Sequence, residues 1–303
     1  MKVLIVGLGS IALKHITALR DILPNTEFYA LRSTINAEKR DGIINIYDLI
    51  EIQKKAIDFA IISNPTSAHS ETIKKLIPQE IPLFIEKPLF SELNNEQILF
   101  EIEQKKIPTY VACNLRFLDC LLYAKQHIKD KRINEVNIYC GSYLPEWRTG
   151  IDYKKSYSAN KDLGGGVHID LIHEIDYAYW LFGKPKNVNK VFSNKSSLEI
   201  NAYDYANYLL EYSNFNANII LNYFRRDAKR TLEIVLDDKT IVVDILKNKV
   251  YSNQKILFNS DKTIIDTYKD QLRFFIEEVV KNKTQFNTVN EAYEILKICL
   301  QKD

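Results

Sequence analysis

Val3-Leu4-Ile5-Val6-Gly7-Leu8-Gly9-Ser10-Ile11-Ala12 decides the reading of the N-terminal half. Val3 to Val6 is an aliphatic, partly β-branched run without polar alternation, the pattern of a strand buried on both faces. A glycine turn follows, and then a helical periodicity through Ile11, His15, Leu19 and Ile22. Strand, glycine turn and helix in this order give G-x-G-x-x-A its meaning, where the bare motif says little. Gly7 permits the tight turn, Gly9 lets the backbone approach a pyrophosphate, and Ala12 is small enough for helix to pack on strand. The phosphates of a dinucleotide would then lie on the free N–H groups around Ser10 and Ile11, at the helix N-terminus. The plain alternative is a glycine turn that only links a strand to a helix.

Further strands repeat the arrangement. Glu27 to Leu31 ends in Arg32-Ser33-Thr34, with no Asp or Glu to bond a ribose 2′-hydroxyl. A basic residue with two hydroxyl neighbours suits a 2′-phosphate, so NADP(H) is favoured and NAD(H) is possible. Arg32 as an ordinary solvated residue is the bland reading. Asp58 to Ser63 opens onto Asn64-Pro65-Thr66, with His69 starting the next helix, and Leu83 to Ile85 opens onto Glu86-Lys87-Pro88. Thr109 to Cys113 opens onto Asn114-Leu115-Arg116-Phe117. Strands alternating with helices predict a doubly wound parallel sheet, with these polar loops together at the carboxyl ends of its strands.

The second half reads differently. A helix over Leu118 to Lys131 leads into a strand, Val136 to Tyr143, and then a long loop dense in polar aromatics. Trp147, Arg148, Asp152 and Tyr153 in that loop resemble a wall for a polar, ring-shaped ligand; a surface loop with buried aromatics is the alternative for each singly. Next comes Gly164-Gly165-Gly166-Val167-His168-Ile169-Asp170-Leu171-Ile172-His173, with helical spacing from about His168. Asp170 and His173, three apart, share a helix face, whereas His168 and Asp170 diverge. No metal site is therefore expected; a buried structural histidine is the alternative for His173 and the reading for His168. Strands are expected over Tyr203–Leu209, Ala217–Tyr223, Leu232–Val235 and Ile241–Ile245, one face free for self-association. Two helices with a break near Asn282 to Thr288 close the chain.

Composition bounds the classes. The 303 residues carry Lys+Arg 41 against Asp+Glu 39, a formal charge of +2, which excludes a chain-wide basic footprint for nucleic acid. Hydrophobic residues at 46% and charged ones at 26% describe a globular chain, and no apolar run is long enough to span a bilayer. The start has the charge and apolarity of a leader peptide, but glycines interrupt it and no small-residue cleavage site follows. Cys113, Cys120, Cys140 and Cys299 have no metal or disulfide spacing and read as reduced thiols of a cytoplasmic protein.

Five motifs in one order resemble the Gfo/Idh/MocA oxidoreductase family: Gly7 to Ala12 with Lys14-His15, Asn64-Pro65-Thr66 with His69, Glu86-Lys87-Pro88, Asn114-Leu115-Arg116-Phe117, and Gly164 to Asp176. The resemblance covers nearly the whole chain. It implies an N-terminal Rossmann domain over 1–118 and a C-terminal α+β domain over 119–303, the latter binding substrate and forming homodimers or homotetramers through a large open, mostly antiparallel sheet. It implies hydride transfer to or from a sugar or nucleotide sugar, with Lys87, His173 and Asp170 as catalytic residues. Many members space the Asp and His four apart, so the three-residue spacing here bears on the role of Asp170. Around the cofactor it implies Gly7, Gly9, Ser10, Ile11, Ala12, Arg32, Ser33, Thr34, Asn64, Pro65, His69, Glu86, Lys87 and Asn114. Around the substrate it implies Arg116, Trp147, Arg148, Asp152, Tyr153, Asp170 and His173. The segment from Leu144-Pro145-Glu146-Trp147-Arg148 through Asp152-Tyr153 to His173-Glu174-Ile175-Asp176-Tyr177 resembles a subgroup often found among bacterial surface-sugar biosynthesis proteins.

The residues fit that chemistry: an imidazole is poised to move a proton near neutral pH, and an ammonium can stabilise charge on the reacting oxygen. A non-catalytic NADP-binding sensor and a cyclitol or free-sugar dehydrogenase are the two other readings. Retention of Lys87, Asp170 and His173 together argues against the sensor.

Overall fold

A computed structural model describes residues 1–148 and 150–300. The first six strands are β1 (Lys2–Val6), β2 (Glu27–Leu31), β3 (Ile43–Ile46), β4 (Phe59–Ile62), β5 (Leu83–Ile85) and β6 (Thr109–Val111). They form one parallel sheet in the order β3-β2-β1-β4-β5-β6. Val3 to Ile5 and all of β4 are fully buried, as strands covered on both faces must be. The connections carry helices α1 (Ser10–Ile22), α2 (Ile50–Lys55), α3 (His69–Leu76) and α4 (Glu96–Gln104). Strand order reverses at β1, which has β2 on one side and β4 on the other. Ligands of such sheets bind outside the carboxyl ends at that point. Gly7, Arg32, Asn64 and Lys87 all follow strands on this rim, as the sequence predicts.

The second sheet has eight strands: β7 (Ile133–Tyr143), β8 (Asn187–Ser193), β9 (Tyr205–Glu211), β10 (Asn216–Asn222), β11 (Phe224–Leu236), β12 (Thr240–Asp244), β13 (Lys249–Ser252) and β14 (Lys255–Asn259). Their order is β14-β13-β12-β11-β7-β10-β9-β8, antiparallel except for the β7–β10 pair. Burial alternates along β9 and β12, so Ala206, Tyr208, Ile241 and Val243 face a core while Tyr205, Asn207, Thr240 and Val242 keep solvent contact. Helices α5 (Asp119–His127), α6 (Val167–Asp170) and α7 (His173–Phe182) belong to this unit. The expected α/β architecture, a Rossmann sheet plus a mostly antiparallel second sheet, is present. Strands β8, β13 and β14 add to the four predicted after residue 200 and the one before it.

The chain then returns to the first sheet. α8 (Thr267–Phe274) continues as a π-helical turn, Phe275–Val279, and α9 (Val289–Leu300) follows. Phe275 is fully buried against Phe59 and Phe84, with ring centroids 5.2 and 5.4 Å away. The Asn287 side chain donates to the Val111 carbonyl, and the Val111 amide donates to the Asn287 carbonyl, so the segment before α9 extends edge strand β6. The compact units are therefore Met1–Asn114 with Ile265–Leu300, and Leu115–Ile264. This differs from a division into 1–118 and 119–303, because the apolar faces of α8 and α9 are covered by the first unit.

Candidate active site

In the first unit, the turn after β1 is fixed by close packing. Gly7 has φ +89°, and a Cβ there would lie 2.2 Å from the Asn64 backbone nitrogen. The Ser63 hydroxyl donates to the Gly7 carbonyl at 2.9 Å and joins the turns after β1 and β4. Gly9 caps α1, and a Cβ on it would meet no protein atom within 4 Å. No acidic residue stands in the first turn of α1, so its exposed N–H groups present unopposed positive character to a phosphate. Ala12 is buried, as close helix–strand packing requires, while Ser10 and Ile11 reach the surface at the helix start.

Beside this turn lies a cavity of ≈ 670 Å³ whose lining includes Gly7, Arg32, Ser33, Asn64, Pro65 and Lys75. It brings together the predicted glycine turn, the end of β2 and the Asn64-Pro65 loop. The residues fit a dinucleotide: a bare helix N-terminus for the pyrophosphate, and a guanidinium and hydroxyl at the end of β2. Thr34 is exposed and does not line the cavity.

Three residues expected on the cofactor face inward instead. His69 is 1% exposed; its ring nitrogens lie 3.0 Å from the Asn64 carbonyl and 3.1 Å from that of Leu89, and burial pushes its pKa down. Its ring joins the Asn64 and Leu89 loops. The Glu86 carboxylate lies 2.5 Å from buried His15 Nε2, and its other oxygen accepts the Lys87 amide at 3.2 Å. Glu86 therefore brackets the backbone that carries Lys87. Asn114 donates to Thr267 Oγ1 at 2.7 Å and holds the start of α8.

In the second unit, Asp170 ends α6 and His173 starts α7, with Leu171 and Ile172 between the two helices. The expected single helix is thus broken between them, and a shared helical face is not what relates them. Asp170 Oδ2 accepts a 2.6 Å hydrogen bond from the Tyr223 hydroxyl. Behind His173, Glu174 is buried and accepts from Arg230 Nε at 2.6 Å, tying α7 to β11. His168 is buried against Phe192 and Tyr203, with its pKa lowered to about 4 by burial, matching the structural role expected of it.

The aromatic loop is ordered by its own contacts. Trp147, 39% exposed, donates from Nε1 to Ser142 Oγ at 2.9 Å. Trp147, Arg148 and Tyr153 line one narrow cleft with Ser156 and Ser158, while the Tyr153 hydroxyl donates to the Leu198 carbonyl. Asp152 is exposed, and its carboxylate caps the Lys154 amide. Arg116, expected among the substrate ligands, is 1% exposed and held by both oxygens of Asp176. Its guanidinium is enclosed and serves the fold. Tyr223, between β10 and β11, and Arg230, in β11, are not legible as site residues, since their sequence neighbours are equally polar and aromatic.

The family model described as the GFO/IDH/MocA C-terminal domain matches residues 121–242, and the one described as an oxidoreductase family with an NAD-binding Rossmann fold matches residues 1–112. An uncharacterised oxidoreductase of Schizosaccharomyces pombe is 26% identical over 223 residues, 70% of this chain and 60% of that protein. Myo-inositol 2-dehydrogenase of Thermotoga maritima is 22% identical over 209 residues, 65% of this chain and 59% of that protein. The chain thus spans about three fifths of the length of these two curated relatives. The solved structure of UDP-N-acetylglucosamine 3-dehydrogenase from Acidithiobacillus ferrooxidans has a TM-score of 0.79 at 17% identity, over 99% of this chain and 96% of that one. At that identity the likeness is one of fold. No helix among the described residues is long and apolar enough to cross a membrane.

Proposed function

The chain belongs to the Gfo/Idh/MocA family of oxidoreductases, and from that premise we propose that it is an NAD(P)-dependent dehydrogenase or reductase acting on a CH–OH/C=O group of a sugar or nucleotide sugar. The observation that carries the reading is Lys87, at the carboxyl end of β5 on the rim that carries the glycine turn, its backbone fixed by Glu86 and His15.

A bound nicotinamide supplies the hydride exchange at its C4. His173 gives or takes the proton on the reacting oxygen, since imidazole titrates where such a transfer is easiest. Lys87 donates to the same oxygen and stabilises the charge that develops there. Asp170 orients a substrate hydroxyl or the Lys87 ammonium. Trp147 and Arg148, exposed on their loop, favour a large or anionic substrate over a small neutral sugar.

Arg32 and Ser33 support NADP(H) over NAD(H), because a guanidinium and a hydroxyl at the end of β2 match a 2′-phosphate. The half-exposed face of the second sheet, with Tyr205, Asn207 and Val242, is the surface we assign to self-association. The four cysteines are buried and none forms a disulfide among the described residues, which suits a reducing compartment.

The test is turnover of the purified protein with each nicotinamide cofactor against cyclitols, free sugars and UDP-sugars, followed by nicotinamide absorbance. At least one substrate should turn over, and Lys87→Ala or His173→Ala should lose on the order of 10²–10⁴-fold while still binding cofactor. Unchanged turnover in both variants contradicts the assignment.

A further inference from the structure

We propose that Tyr223 is a positioning residue that ties the aromatic loop to Asp170, so that one phenol sets both the loop and the carboxylate beside the acid/base histidine. The inference rests on the dehydrogenase reading above. Tyr223 is fully buried just after β10, and each part of it is used. Its amide donates to the Asp204 carbonyl at 3.0 Å, and its carbonyl accepts the Leu144 amide at 2.8 Å, where the loop leaves β7. Its ring receives Trp147 edge-on, with centroids 5.2 Å apart and planes at 87°. Its hydroxyl donates to Asp170 Oδ2 at 2.6 Å.

The chemistry of the phenol fits a fixed donor. Burial, and next the charge of Asp170, pushes its pKa well above that of an ordinary tyrosine, so it keeps its proton at any working pH. A protonated hydroxyl facing a carboxylate forms a short charge-assisted bond, which fixes where that carboxylate stands. The Trp147 ring contact and the Leu144 hydrogen bond tie the loop to the same residue whose hydroxyl holds Asp170. The loop that carries Trp147 is thereby coupled to Asp170, three residues before His173.

Tyr223→Phe keeps the ring against Trp147 and removes only the hydroxyl. With the substrate found in the panel above, kcat should fall roughly 10- to 100-fold, the range of a modest misplacement, with KM changed much less and cofactor affinity unchanged. A role exerted through Asp170 makes the losses non-additive: Tyr223→Phe combined with Asp170→Asn should be no slower than Asp170→Asn alone. Undiminished kcat in a folded Tyr223→Phe protein, or losses that multiply in the double variant, overturns the role of Tyr223 and leaves the dehydrogenase reading standing. Failure of the wild-type protein to turn over any substrate overturns that reading and the role of Tyr223 with it.

Discussion

Arg116 and Asp176 form a two-pronged ion pair inside the second unit: Nε donates to Oδ2 at 3.0 Å and Nη2 to Oδ1 at 2.7 Å, with both side chains buried. The rigid guanidinium fork matches the carboxylate, and the pair joins the segment before α5 to α7, whose first residue is His173. Asp176→Ala leaves a guanidinium enclosed without a counter-charge, which should cost about 3–5 kcal/mol of unfolding free energy in urea denaturation. Asp227→Ala breaks the solvent-exposed pair with Arg225 and should leave the midpoint nearly unmoved. Equal shifts in the two variants would refute the distinction.

Acid should weaken the fold through His168. Its folded pKa lies at about 4 against 6.5 for a free side chain, because burial disfavours the charged ring. Between those values the unfolded chain binds the extra proton, so the contribution is fully present above pH 6.5 and is lost as pH falls toward 4, an amount of at most ~3 kcal/mol. His168→Phe, which keeps a ring against Phe192 and Tyr203, should flatten that part of the stability–pH curve. A curve of unchanged slope in the variant would contradict this.

Gly7 and Gly9 should respond differently to alanine. At Gly7 the added Cβ meets the Asn64 backbone at a positive φ, so both melting temperature and cofactor affinity should drop. At Gly9 the Cβ enters open space over the N-terminus of α1, so melting temperature should hold while cofactor affinity falls. Thermal melts of the two variants without cofactor, set beside nicotinamide fluorescence titrations, separate the cases. Unimpaired cofactor binding by Gly9→Ala would remove the pyrophosphate from this turn.

Local patterns that carry their own physics were readable from sequence. The unbroken apolar run Val3–Val6 predicts a strand covered on both faces, and β1 is one. Gly7 is read as permitting a tight turn, and its φ of +89° is one that glycine adopts without strain. What sequence does not encode locally is which way a loop side chain turns. His69, Glu86, Asn114 and Arg116 sit where ligand-facing residues would sit, but each has a buried partner contributed by a distant segment. Helical periodicity likewise marks the buried faces of α8 and α9 without naming what covers them, and both group with the strands of the first sheet. The spacing of Asp170 and His173 reads as one face only if the helix is continuous, and Leu171-Ile172 interrupts it. Tyr223 has no local signature, since its importance lies in meeting Asp170 and Trp147.

Titration of the purified protein, stripped of endogenous nucleotide, with NADPH and with NADH separately tests the central claim most directly. Saturable enhancement of nicotinamide fluorescence is expected with both or with NADPH alone, tighter for NADPH, with the preference lost in Arg32→Ala. Folded protein that binds neither cofactor would contradict the dehydrogenase account at its base.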